Sequence, residues 1–239
     1  MANFFHAVFY QPILNALVLL YDTVALHDFG FAVILVTILI RLVLYPLFHK
    51  STKQQMVMQR IQPKIQKIQQ LHKNDREKQT QALMALYEEH GVNPFSSMLL
   101  LIVQLPIMIG LFYVVRGALA AGPLGGVYSF IPSPGTIDPL FLHLIDLSKP
   151  SMVLIALSAI AQYFQARLAI YRDPQSTTPL SPQEKMARQM AYIGPLITIF
   201  IFYSLPSAVA LYWLVTSVFS IFQQIIINRH MKAGETAAI

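Results

Sequence analysis

The stretch Phe29–Phe48 reads FGFAVILVTILIRLVLYPLF and is apolar almost throughout, with a single cation at Arg41. About 20 such residues are what a helix needs to cross the hydrocarbon core of a bilayer. A charge at that depth costs about 2.5–3.5 kcal/mol, so Arg41 is expected to face protein or water rather than lipid. The alternative is that its long side chain reaches up to the membrane surface.

The rest of the chain has the composition of a membrane protein. Of its 239 residues 55% are hydrophobic and 12% are charged, whereas about a quarter of the residues of a soluble domain are charged. Four more apolar stretches, at 98–115, 152–170, 191–205 and 208–227, are candidate spans. The Pro206-Ser207 turn between the last two predicts a tight antiparallel return. The predicted fold class is therefore an all-α, polytopic membrane protein with five transmembrane helices.

The basic residues predict the orientation of these spans. Residues 50–93, 167–188 and 229–232 hold 14 of the 17 Lys and Arg, while residues 1–28 and 117–148 hold none. By the positive-inside rule the N-terminus lies outside and the C-terminus in the cytoplasm. The net charge of +6 then reflects topology, and we expect no sequence-specific nucleic-acid partner.

The predicted segments follow in chain order. They are an extracytoplasmic interfacial helix (1–28), TM1 (29–49), a cytoplasmic helical hairpin (50–93), TM2 (94–116), an extracytoplasmic loop (117–150), TM3 (151–170), a cytoplasmic loop (171–188), TM4 (189–205), TM5 (207–228) and a cytoplasmic tail (229–239).

Two of these segments leave alternatives open. Residues 12–26 are apolar but interrupted by polar side chains, which predicts an amphipathic helix lying in the outer interface of the membrane. The alternative is a signal peptide that is cleaved off. In the hairpin, apolar residues from Val57 to Leu71 recur at helical spacing, and Asn74 is expected to cap a second helix with Glu77 in the capping-box position. The alternative there is a solvated connector that only enforces topology.

The five predicted spans contain no Asp or Glu, so Arg41 has no counterion within them. Several spans carry neutral polar residues instead, some at the i, i+4 spacing of one helix face. Such residues either join helices by hydrogen bonds or line an aqueous space. Because water solvates an unpaired cation readily, we expect a hydrated groove open to the cytoplasm. Its candidate lining residues are Thr37, Arg41, Gln104, Ser158, Gln162, Trp213, Thr216 and Ser220; Trp213 is alternatively an interfacial residue.

Ordered motifs from about Pro12 to Gln224 resemble those of the YidC/Oxa/Alb membrane protein insertases. They are IRLVLYPL (40–47), MQRIQPKI (58–65), LY…GVNP (86–94), QLP (104–106), DLSKP (146–150), LYW (211–213) and QQ (223–224). The resemblance implies an insertase in the bacterial cytoplasmic membrane. In that family the groove is open to cytoplasm and lipid, and Arg41 falls on the position of its arginine.

The resemblance also implies the partners. These are nascent membrane-protein clients and the lipid bilayer, with the ribosome, the signal recognition machinery and the Sec translocon as further candidates. Arg60, Lys64, Lys67 and Lys73 of the hairpin are the candidate contacts for them. Only 28 residues precede the first span, so we expect a short form without the large extracytoplasmic domain of Gram-negative members.

Other function classes have less support. A small transporter or channel that uses Arg41 as an anion site is the main alternative, although the chain has no internal repeat. We expect no enzyme, catalytic residue, metal or cofactor, because there is no cysteine and no HExxH, GxSxG or phosphate-binding glycine motif.

Overall fold

The computed structural model describes residues 2–119, 125–132, 135–170 and 182–236. The helices are α1 (Ala2–Phe5, continued by a π-helical turn at His6–Tyr10), α2 (Gln11–Thr23), α3 (Phe29–Val43), α4 (Tyr45–Arg60), α5 (Gln62–Leu71), α6 (Arg76–Glu89), α7 (Ser96–Ala118), α8 (Met152–Ala169), α9 (Pro182–Phe202) and α10 (Ser207–Thr236). Two short antiparallel strands, β1 (Leu140–Phe141) and β2 (Ile145–Asp146), lie between α7 and α8.

Several of these helices are suited to cross a bilayer. Within the described ranges, Met98–Ala118, Met152–Ala169 and Ser207–His230 are long and apolar enough, and the bent pair α3 and α4 makes a fourth if it is one span. Lys185 and Arg188 lie in the first turns of α9, so its apolar part begins only after them. The predicted all-α membrane architecture is confirmed, whereas the count of five spans stays a prediction.

The span expected over residues 29–49 is not one straight helix. It breaks at Leu44, and α4 leaves the axis of α3 at 67°. Pro46 lies in the first turn of α4, where its missing N–H removes no helical hydrogen bond. A proline at that position favours the start of a new helix over continuation of the old one.

The amphipathic helix expected near the N-terminus has protein on its apolar side. Leu14, Leu17 and Val18 of α2 are fully buried in the main core, which also contains residues of α3, α7 and α10. Asn15 is buried among them, and its amide binds backbone groups of Gly126 and Tyr128. The location of α2 at the outer interface stays a prediction.

Helices α5 and α6 pack on each other around Ile61, Ile65, Leu86 and Val92. The predicted cap of α6 was wrong. Asp75, not Asn74, has the extended backbone of an N-cap and accepts the Lys78 N–H, a hydrogen bond that lowers the pKa of its carboxyl group.

The amphipathic stretch expected from Val57 to Leu71 is divided between α4 and α5. Pro63 lies in the first turn of α5. Like Pro46, it is placed where a helix begins rather than where one continues.

The connection between α7 and α8 does more than join two helices. Backbone carbonyls of Leu147 and Lys149 accept hydrogen bonds from the first N–H groups of α10, at Ala208 and Ser207. Those N–H groups have no partner inside the helix. Residues 146–149 therefore position the start of α10, the helix that meets Arg41 further along.

Asp28 joins the same connection to α3. One carboxylate oxygen accepts the Phe31 N–H at 2.9 Å and the other accepts the Leu142 N–H at 2.7 Å. Beside it, Phe141 lies so close to Gly30 that a Cβ there would be 2.1 Å from its ring. The start of α3, and with it Arg41, is thus fixed by a carboxylate and a close contact.

Replacing Asp28 by Ala is expected to lower the free energy of unfolding by about 1–3 kcal/mol, because two backbone N–H groups lose the acceptors that the buried carboxylate gives them. Thermal unfolding of the purified protein in detergent measures this. Asp22→Ala is the matched control, since the partner of the Asp22 carboxylate within the described ranges is the largely exposed His27, at 4.0 Å. Equal destabilisation by both changes would contradict the role given to Asp28.

Candidate functional site: a polar cavity at Arg41

Arg41 lies in the last turn of α3 and is only 5% exposed. Its Nη2 donates to two groups of α10, the Ser220 hydroxyl at 2.7 Å and the Thr216 carbonyl at 3.1 Å. Both acceptors lie one helical turn apart on the same face of α10. The guanidinium therefore joins α3 to α10.

Two aromatic rings complete its surroundings. The Phe48 ring centroid is 4.4 Å from the guanidinium carbon and that of Phe219 is 5.9 Å away, both within the range of cation–π attraction. In a straight helix, residues seven apart are about 10.5 Å apart along the axis. The bend at Leu44 turns α4 back so that Phe48 reaches Arg41.

The positive charge of Arg41 has no ion pair with an Asp or Glu among the described residues. Its Nε and Nη1 are buried, and no described protein atom accepts a hydrogen bond from them. A buried charge in this condition is costly unless a polar partner is supplied.

Arg41 lines a cavity of about 290 Å³, which we call the Arg41 cavity, bounded by α3, α4, α7, α8 and α10. Among the described residues, no Asp, Glu or Lys lines it. Its other polar lining residues are Thr52, Gln55, Gln104, Gln165, Thr216, Ser217, Ser220, Gln223 and Gln224. The cavity therefore combines one cation with neutral hydrogen-bonding groups, a surface suited to a polar or acidic chain segment.

Hydrogen bonds between helices hold the walls of this cavity. The Gln104 amide donates to the hydroxyl of Tyr212, which joins α7 to α10. At the other end, Gln59 of α4 donates to the Ala169 carbonyl at 3.0 Å, and Asn228 donates to that of Leu168 at 3.4 Å. The last carbonyls of α8 thereby obtain donors from two neighbouring helices.

Five of the eight residues predicted for the groove line this cavity: Arg41, Gln104, Trp213, Thr216 and Ser220. The other three do not. The buried hydroxyls of Thr37 and Ser158 donate to carbonyls of their own helices. Gln162 accepts from Thr198 at 2.5 Å and lines a separate apolar cavity of about 390 Å³ between α7, α8 and α9. Trp213 lines both cavities.

The four basic hairpin residues lie away from the Arg41 cavity. Arg60 ends α4, and Lys64 lies 3.1 Å from the ring of His90. Lys67 and Lys73 are exposed. Their predicted contacts with other molecules stay predictions.

Sequence reasoning missed Phe48, Thr52 and Gln55, which line the cavity from α4. Pro46 could have indicated these residues, because a proline in this position is typical of the first turn of a new helix. Sequence reasoning also left Gln223 and Gln224 out of the groove, although Gln223 continues the polar face of Thr216 and Ser220.

Ser220→Ala is expected to destabilise the protein by about 1.5–3 kcal/mol, because the guanidinium loses one of its two acceptors. The control is Ser158→Ala, which removes a buried hydroxyl that donates to the Ile155 carbonyl of its own helix. Thermal unfolding in detergent compares them. If Ser158→Ala is the more destabilising, the Arg41 contact contributes less than its geometry indicates.

Comparison with known proteins gives consistent matches. The family profile described as 60Kd inner membrane protein matches residues 19–235. A protein of Geobacter metallireducens named "Membrane protein insertase YidC" is 31% identical over 231 residues, 96% of this chain and 38% of its own length. One of the same name from Francisella philomiragia is 34% identical over 206 residues, 86% of this chain and 33% of its own.

The chain thus spans between a third and two fifths of the length of these curated relatives. The profile covers nearly all of the printed sequence, including the segment that carries Arg41. The chain therefore belongs to the 60Kd inner membrane protein family, in agreement with its resemblance to the YidC/Oxa/Alb proteins.

Proposed function

We propose that this protein inserts other membrane proteins into the bilayer and assists their folding, without catalysing a chemical reaction. One observation carries the proposal: a buried guanidinium without a carboxylate partner in the described chain lines a polar cavity among helices apolar enough to span a membrane. The relatives named as insertases support it.

The Arg41 cavity would lower the barrier to moving a polar segment across the membrane. Peptide groups and charges have no partners in hydrocarbon, which makes the transfer of a polar tail costly. Gln, Ser and Thr side chains would supply hydrogen bonds along part of that path. An acidic residue of the client would supply the counterion for Arg41 and accept hydrogen bonds from its free nitrogens.

The apolar part of the client would leave sideways into lipid. Trp213 forms a wall shared by the Arg41 cavity and the apolar cavity between α7 and α9. The apolar cavity is lined largely by aliphatic and aromatic side chains such as Ile109, Phe112 and Ile201. Transfer of apolar surface into lipid contributes about 25 cal/mol per Å² and needs no nucleotide.

The proposal includes the topology derived from the sequence: five spans, an outer N-terminus and a cytoplasmic C-terminus. The α5–α6 pair would then face the cytoplasm, where its exposed Lys67 and Lys73 are available to a ribosome, a targeting factor or a translocon. The β1–β2 connection would face outward.

Orientation can be tested directly because the chain contains no cysteine. We expect Leu144→Cys, at a position that is 81% exposed, to react with a membrane-impermeant maleimide in intact spheroplasts. Lys73→Cys should react only after the membrane is permeabilised. The reverse pattern would contradict the proposed topology.

Arg41→Ala is expected to reduce insertion of a client with an acidic translocated tail about ten-fold, equivalent to about 1.4 kcal/mol. The same client with a neutral tail should be affected much less, because it supplies no counterion. Insertion into proteoliposomes that contain the purified protein, scored by protease protection of the tail, measures both.

Two further variants sharpen this test. Arg116→Ala removes an exposed arginine from the far end of α7 and should insert both clients normally. Arg41→Lys keeps the charge and should retain part of the acidic-tail preference. Equal loss for both clients with Arg41→Ala would contradict the counterion mechanism, and Arg41-dependent anion flux without insertion would favour the transporter.

A further inference from the structure

A third cavity, of about 430 Å³, lies between α4 and the beginning of α7. We call it the Lys50 cavity. It shares no lining residue with the Arg41 cavity. Neither the insertion mechanism nor the packing of the helices accounts for it.

One side of the Lys50 cavity is polar and positively charged. Lys50, Gln54, Asn93 and Ser96 line it, and no Asp or Glu in the described part of the chain does. Lys50 is exposed, and in the described part of the chain it has no ion pair. This side therefore offers an ammonium group, two amides and a hydroxyl to an anion.

The other side is apolar and faces outward. Met98, Leu99 and Ile102 lie on one face of α7 at helical spacing, and Phe95, the residue just before the helix, continues that face. Each is at least 43% exposed in the isolated chain. Leu47 of α4 adds to this wall.

The boundary between the two sides coincides with the start of the candidate membrane span in α7. The apolar stretch of α7 that can cross a bilayer begins at Met98, and Asn93 and Ser96 come just before it. The walls are also held together, because the buried Ser51 hydroxyl donates to the Ser96 carbonyl at 2.5 Å. With Met98–Ala118 spanning the bilayer, the polar side would lie at headgroup depth and the apolar wall at the depth of the acyl chains.

We propose that the Lys50 cavity binds an anionic phospholipid. Lys50 pairs with the phosphate, the Gln54 and Asn93 amides and the Ser96 hydroxyl lie within the same polar side, and one acyl chain follows the α7 wall to Ile102. The apolar wall favours a lipid over free phosphate, and the unpaired cation favours an anionic lipid over a zwitterionic one. This inference does not depend on the insertase activity.

Bound lipid would bridge α4 and α7. A ligand that binds the folded state alone stabilises it in proportion to its occupancy. Anionic lipid is therefore expected to strengthen the attachment of α4, the helix that carries Phe48 to Arg41, to the rest of the bundle.

The test compares lipid binding by the purified full chain and its variants in a zwitterionic detergent. Phosphatidylglycerol and phosphatidylcholine of equal chain length are added in turn, and bound lipid is counted by native mass spectrometry. We expect about five-fold tighter binding of phosphatidylglycerol, the effect of one lysine near a charged lipid surface. Lys50→Gln should abolish that preference, whereas Lys50→Arg should keep it.

Lys53→Gln is the matched control, because Lys53 is exposed on the same helix but does not line the cavity. It should leave the preference intact. Ile102→Ala, which shortens the apolar wall, should weaken phosphatidylglycerol binding about two- to three-fold without removing the preference. This second variant tests the cavity by a change that leaves Lys50 in place.

Three results would overturn the proposal. The first is equal binding of the two lipids by the unchanged protein. The second is equal loss of preference in Lys50→Gln and Lys53→Gln, which would indicate a general charge effect. The third is displacement of the lipid by inorganic phosphate at equal concentration, which would indicate a site for the free anion.

Discussion

The arrangement of this bundle depends on how a guanidinium is kept inside it without a resident negative charge. Arg41 has two acceptors from α10 and two aromatic rings, and that set leaves two of its nitrogens without protein acceptors among the described residues. A carboxylate in the same place would satisfy the charge and stabilise the fold further. Such a carboxylate would also take the place beside Arg41 where the proposed mechanism puts the acidic residue of a client. The arrangement that stabilises the fold most is therefore not the one that the proposed function needs.

The helices around Arg41 combine polar side chains toward the cavity with contacts at their ends that hold them in place. Helices α4, α7, α8 and α10 turn amide or hydroxyl side chains toward the Arg41 cavity, while α7 and α9 carry many exposed aliphatic residues. Contacts at the helix ends position the helices. Asp28 and Phe141 fix the start of α3, and residues 147–149 fix the start of α10. Gln59 and Asn228 hold the end of α8. The cavity walls are therefore anchored outside the cavity itself.

Sequence patterns predicted the helical membrane class and the residues of the cavity that follow a helix face, such as Thr216 and Ser220. They misplaced Thr37 and Ser158, because a hydroxyl in a helix can bond its own backbone and need not face a polar space. They missed Phe48, because its approach to Arg41 depends on a 67° bend that periodicity does not encode. Asn74 and Asp75 are both good caps, and the choice between them was made by the backbone conformation of the α5–α6 turn.

The bend at Leu44 also has a mechanical consequence. Helix α4 has 16 residues and is therefore about 24 Å long, with Phe48 near its fixed end and the α5–α6 pair attached beyond its far end. The helix is also held along this length, because the Ser51 hydroxyl donates to the Ser96 carbonyl of α7 and Gln59 donates to the Ala169 carbonyl of α8. The bend therefore gives α4 one firmly braced position, in which its first turns keep the Phe48 ring 4.4 Å from the guanidinium carbon while its last turn carries the α5–α6 pair away from the bundle.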